Sequence, residues 1–136
     1  MNNPTKRRAR NRRKGAAAVE FAITAPFLFL FVFTSVEFGR MNMIRHTVDN
    51  AAYEAARAGI IPGATAENVE ARARSIMSYV GAVSVDVVIT PAMILPESEE
   101  VTVEVSVPCN QNGFLAPYFF ADSVLVGTTT MTREAL

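Results

Sequence analysis

The sequence predicts an α+β protein: a long N-terminal transmembrane and stalk helix, a second helix, and a three-stranded antiparallel sheet. Three observations carry this reading. Residues 16–36, AAAVEFAITAPFLFLFVFTSV, hold one charge, Glu20, in 21 positions. Apolar residues then recur at spacings of three and four, as on one face of a helix. Further on the period falls to two, as in half-buried strands.

At about 1.5 Å per residue, 21 helical residues span about 32 Å, enough for a hydrocarbon core of roughly 30 Å. No charge falls between Phe21 and Val36, and five Phe lie between Phe21 and Phe33. A core helix of a soluble domain is the first alternative, but so small a chain rarely surrounds an all-apolar helix of this length. A cleaved secretory signal is the second. Its apolar region is usually shorter, and SVEFGRMNM offers no small-x-small site. Arg12-Arg13 is a twin arginine, but Lys14-Gly15-Ala16 does not continue that export signal.

Charge is divided as sharply as hydropathy. The chain is formally neutral over 136 residues. Yet residues 1–15 carry seven basic side chains, from Lys6 to Lys14, and no acid. Such a tail can hold phosphates, but it has no aromatic to stack on bases and it abuts a membrane-length segment. Basic residues flanking the cytoplasmic end of a first span account for it, which excludes a nucleic-acid partner and makes the bilayer one. The expected divisions are a basic cytoplasmic leader at 1–15, a transmembrane helix at 16–40, and an extracytoplasmic head at 41–136 whose stalk helix runs to about 59.

From Met41 the helix becomes amphipathic, with Met41, Ile44, Val48, Ala51, Ala55 and Ala58 on one face. Gly59, Pro62 and Gly63 end it. Thr65 should cap a second helix at about 66–80, with Val69, Ala73, Ile76 and Val80 inward and a Glu70–Arg74 pair outward. Val83 to Ile89 and Val101 to Val107 alternate as two strands joined by residues 91–100. A third strand is expected at 123–132. Residues 109–122 connect the last two. Their apolar set of Phe114, Leu115, Tyr118, Phe119 and Phe120 either folds over the open sheet or meets another subunit.

Catalytic chemistry is not legible. There is no phosphate loop, HExxH or GxSxG motif. His46 is the single histidine and Cys109 the single cysteine, so a Cys/His metal module and a disulfide framework are excluded. Glu97, Glu99 and Glu100 lack calcium-loop spacing and read as a solvated loop. The expectation is a protein that is not an enzyme, with no cofactor and no metal.

Glu20 and Pro26 stand out inside the apolar run. A carboxylate at a span's centre would cost on the order of 2.5–3.5 kcal/mol; near the edge it can snorkel or wait for a cationic partner. Pro26 removes one backbone hydrogen bond and should kink the helix, which membrane helices tolerate.

The string Arg12-Arg13-Lys14-Gly15-Ala16-Ala17-Ala18-Val19-Glu20-Phe21 resembles the leader of type IV pilin-like proteins, short, basic and ending in Gly. The fuller pattern, Gly15 through Pro26, then Glu37-Phe38-Gly39-Arg40, Asn50-Ala51-Ala52 and Ala55-Ala56-Arg57-Ala58-Gly59, is similar to the TadE-like family of Tad pseudopilins. The resemblance is strong over residues 12–59 and weak beyond. It implies a pilin-like plan and cleavage by a prepilin peptidase between Gly15 and Ala16. It also implies pairing of Glu20 with the Ala16 amine of a neighbouring subunit. Its implied partners are the peptidase, other pilin or pseudopilin subunits and the Tad assembly machinery. The implied location is the bacterial inner membrane, with the head outside. The alternative is an uncleaved single-pass anchor whose head binds an envelope partner.

Overall fold

The structure, a computed structural model, describes residues 4–95, 98–114 and 122–133, with side chains from Gly15 onward in the first helix. Its elements are α1 (Pro4–Gly59), α2 (Ala66–Ser78), β1 (Asp86–Thr90), β2 (Glu100–Pro108), a 3-10 turn (Cys109–Gln111) and β3 (Val124–Thr132). The α+β arrangement read from the sequence is borne out. The chain divides into two units, one up to Val36 and one from Glu37.

In the first unit, α1 begins at Pro4, well before the expected start at about residue 16. Proline is suited to the first helical turn, and the Arg, Lys and Ala that follow are good helix formers. Pro26 lies inside the helix as expected. Thr24, Thr34 and Ser35 turn their hydroxyls onto main-chain carbonyls of the preceding turn: Thr24 to Glu20 at 3.0 Å, Thr34 to Leu30 and Ser35 to Phe31 at 2.8 Å each. This gives three hydroxyls of an apolar helix partners within their own helix.

The second unit is built around β2. The order is β1-β2-β3, all antiparallel, with Val105 facing Val87 on one side and Gly127 on the other. Val101, Val103, Val105 and Val107 are fully buried against Ile44, Val48, Ala51 and Ala55 of α1 and Val69, Ala73 and Ile76 of α2. The predicted α1 stripe is too narrow: Ala52 and Ala56 are also fully buried, and Met41 and Ala58 are only half-buried. A stripe drawn for one covering layer misses residues on a helix whose core is shared with a sheet and a second helix.

Thr65 caps α2 as predicted, accepting the Asn68 N–H. The Glu70–Arg74 pair forms at 2.8 Å, and Arg74 also donates to the Val85 carbonyl at 2.7 Å. α2 stops at Ser78, so Val80 is half-buried and Met77 takes the inward position. Met77→Ala should therefore destabilise the full chain in detergent by about 2–5 kcal/mol, read from the urea midpoint.

β1 starts at Asp86, three residues later than the alternation suggests. Val83 is not a strand residue because the Asn112 side chain takes both its N–H and its C=O. Ser84 follows at a φ of 55°.

Candidate functional site

Gly15 and Ala16 lie within continuous helix, and Gly15 has no neighbour within 4 Å of where a Cβ would stand. Packing therefore does not explain this glycine. Glu20 is exposed one turn further on, and Phe21 is exposed as well. Ala16 and Glu20 are four residues apart on one helix, so they share a face. From Gly15 the helix is long and apolar enough to cross a membrane, and none of its apolar stretch is buried in the protein. Phe27, Phe29, Phe31 and Phe33 are all exposed on it, so it is not a core helix of this chain. The soluble-core alternative is thereby removed.

The string Glu37-Phe38-Gly39-Arg40 splits by role. Phe38 is exposed, and Gly39 has open space around it. Glu37 and Arg40, one turn apart, face inward to the segment after β2. The Phe114 N–H donates to Glu37 Oε2 at 3.1 Å, and Arg40 Nε donates to the Asn112 carbonyl at 2.8 Å. Glu37 is only 8% exposed and Asn112 3%. Asn112 in turn accepts the Val83 N–H at 2.8 Å and donates to the Val83 and Pro108 carbonyls at 2.9 Å each. A hydrogen bond between Ser84 and Gln111 lies beside it. Charge-assisted bonds of this kind are stronger than neutral ones. These polar residues tie α1, the approach to β1 and the end of β2 together.

Residues 15–57 match the TadE-like protein family. The matched segment starts at Gly15 and ends two residues before α1 does. The resemblance read from Gly15, Glu20, Phe21, Pro26 and Glu37-Phe38-Gly39-Arg40 is borne out over that span. No curated protein and no solved structure matches the chain.

His46 is exposed on α1. Cys109 is buried, and burial pushes its thiol above the ordinary range, away from the reactive thiolate. Glu99 and Glu100 are exposed, while Glu97 lies outside the described residues. Among the described residues no three His, Cys, Asp or Glu side chains gather as metal ligands. Of the apolar set after β2, Phe114 is exposed; Leu115, Tyr118, Phe119 and Phe120 lie outside the described residues. Sequence reasoning missed Asn112, whose partners are 29 residues or more away apart from Pro108 and Cys109.

Proposed function

We propose that this TadE-like chain is a single-pass inner-membrane protein, cleaved after Gly15 by a prepilin peptidase, that contributes to assembly of a Tad-type pilus or secretion filament. The observation that supports it best is an unburied membrane-length helix whose family match begins at Gly15. The seven-fold basic leader stays in the cytoplasm and the head lies outside. Glycine weakens a helix by about 1 kcal/mol relative to alanine, so the chain can unwind locally at Gly15 for the peptidase. Cleavage removes the leader's charge and frees the Ala16 amine. That ammonium offsets the burial of Glu20 on an adjacent helix and sets the register between subunits. The role is non-catalytic and calls for no cofactor.

The deciding experiment is intact mass and N-terminal sequencing of the protein from membranes, with and without the peptidase. The expected result is a peptidase-dependent start at Ala16. A start at Met1 in both strains means an uncleaved anchor. Glu20→Ala should leave cleavage intact and abolish co-purification with other pilin-like subunits. Unchanged co-purification removes the pairing role.

A further inference from the structure

Asn112 is the one Asn of the sequence that is followed by Gly. Asparagine is a chemically labile side chain, and glycine after it is the worst neighbour for a steric reason. Without a Cβ, Gly113 leaves its main-chain nitrogen open to attack the side chain before it. In that attack a bond forms between the Gly113 nitrogen and Asn112 Cγ, the Cγ–Nδ2 bond breaks, and ammonia leaves. The Gly113 amide proton passes to a solvent base, and the leaving nitrogen takes a proton from water. Water then opens the five-membered imide at one of its two carbonyls, giving Asp or its β-linked isomer. No electrons are exchanged, and water is the one co-reactant.

The folded head refuses each requirement of this attack. Asn112 sits at φ −116° and ψ 4°. At that ψ the Gly113 nitrogen eclipses the Asn112 main-chain nitrogen, whereas ring closure needs it beside Cβ. The carboxamide is held by the Val83 N–H, the Val83 carbonyl and the Pro108 carbonyl. Turning Cγ toward Gly113 would break all three bonds in a buried site. The main chain is also pinned on both sides of Gly113. Arg40 Nε donates to the Asn112 carbonyl at 2.8 Å, and Glu37 Oε2 accepts the Phe114 N–H at 3.1 Å. The rotation that closes the ring is therefore opposed by α1 at both ends. Asn110, two residues earlier, is exposed but is followed by Gln111, whose side chain hinders the same attack.

We propose that Asn112-Gly113 is a self-modification site held shut by Glu37 and Arg40, so that opening of this turn starts the reaction. The product does not restore the turn. Asp at 112 sets a carboxylate oxygen against the Val83 and Pro108 carbonyls where the amide donor stood. The β-linked isomer lengthens the main chain by one atom inside the turn that Arg40 and Glu37 hold. A head that stays open long enough to react thus carries a permanent mark of having unfolded. The inference rests on the head alone and is independent of cleavage at Gly15.

The full chain in detergent is kept folded, or unfolded in guanidinium chloride, in the same mildly alkaline buffer. Peptide mapping by tandem mass spectrometry locates the exchange of amide NH2 for OH, and chromatography separates the two isomers. In guanidinium Asn112 should convert while Asn110, Asn68 and Asn50 remain amides. In the folded chain conversion should be slower by about tenfold or more, because a buried, hydrogen-bonded turn opens rarely. Gly113→Ala, followed in guanidinium where folding plays no part, should slow conversion by about tenfold, since the added Cβ crowds the attacking nitrogen. Arg40→Met should speed folded conversion by about threefold or more relative to Val69→Ala. Val69 meets Val101 beside Gly59, at the other end of β2 from the clamp, so its variant weakens the core and leaves the turn's own contacts in place. Equal rates in the folded and unfolded chain overturn the proposal, because the fold then guards nothing. Absence of conversion at Asn112 in guanidinium overturns it too, because the site is then not reactive. An Arg40→Met rate no higher than that of Val69→Ala overturns the clamp.

Discussion

Asn112→Ala should lower the stability of the full chain by about 2–4 kcal/mol. The side chain is almost fully buried and makes three bonds to main-chain groups: the Val83 N–H, the Val83 carbonyl and the Pro108 carbonyl. Alanine leaves all three without that partner. A buried group so orphaned costs about 1–3 kcal/mol, and the half-open position of Val83 lets water recover part of the loss. Asn112→Asp tests the same geometry through charge. It keeps an acceptor for the Val83 N–H but points a second carboxylate oxygen at two carbonyls. The folded state then favours the protonated acid, so its pKa rises above the unfolded value near 3.9. The folded state binds more protons, so this variant loses stability as pH rises above that value and regains it in acid. Urea midpoints in detergent at pH 4 and pH 7 separate the two variants. A second readout is the lone thiol. Cys109 is buried and its carbonyl accepts the Asn112 N–H at 3.2 Å, so loosening this turn should speed Cys109 alkylation. An unchanged midpoint together with unchanged labelling would show that the turn holds without Asn112.

The parts of this protein that follow local rules were readable in advance. The apolar run, the Thr65 cap and the Glu70–Arg74 pair need only their own neighbours in sequence, and each stands where its pattern puts it. The family pattern was readable for the same reason. Its match, residues 15–57, lies entirely within α1, so it is the signature of one helix: apolar and exposed first, core-facing later. The strings Glu37-Phe38-Gly39-Arg40 and Asn50-Ala51-Ala52 were visible as family features. Their physical work was not. Glu37 and Arg40 bond to residues 77 and 72 positions away, and no periodicity in either stretch records such a pairing. The same tie delays the start of β1, because valine alternation continues through Val83 while its hydrogen bonds go to a side chain. Ala52 and Ala56 join the buried face of α1 beyond its stripe, because spacing shows that a face is apolar and not how many layers cover it.

Gly127 interrupts a strand made mostly of Val and Thr, and an isolated glycine there marks close approach of another backbone. It pairs with Val105 at the middle of the sheet and faces α1. A Cβ at this position would stand 2.9 Å from Val48 Cγ1, 2.9 Å from Asp49 Oδ1 and 3.0 Å from the Asp49 main-chain nitrogen. Two of those atoms belong to side chains that can turn. The third is helix backbone and can yield only if α1 moves off the sheet. Gly127→Ala should therefore cost about 1–3 kcal/mol, the range for overpacking a dense core, even though alanine is the better strand residue. Gly127→Val should cost more, because two further methyl groups meet the same helix. Val48→Ala in the Gly127→Ala background should return only part of the loss, since the contact with the Asp49 nitrogen persists. The coupling between the two sites, measured as a double-mutant cycle in detergent, gives the share borne by the side chain. Thr128→Ala, on the exposed face of the same strand, should shift the midpoint by less than about 0.5 kcal/mol. If Gly127→Val were as stable as the parent, α1 would have to lie further from β3 than these distances allow. The buried valines of β2 would then have to fill the space left between helix and sheet.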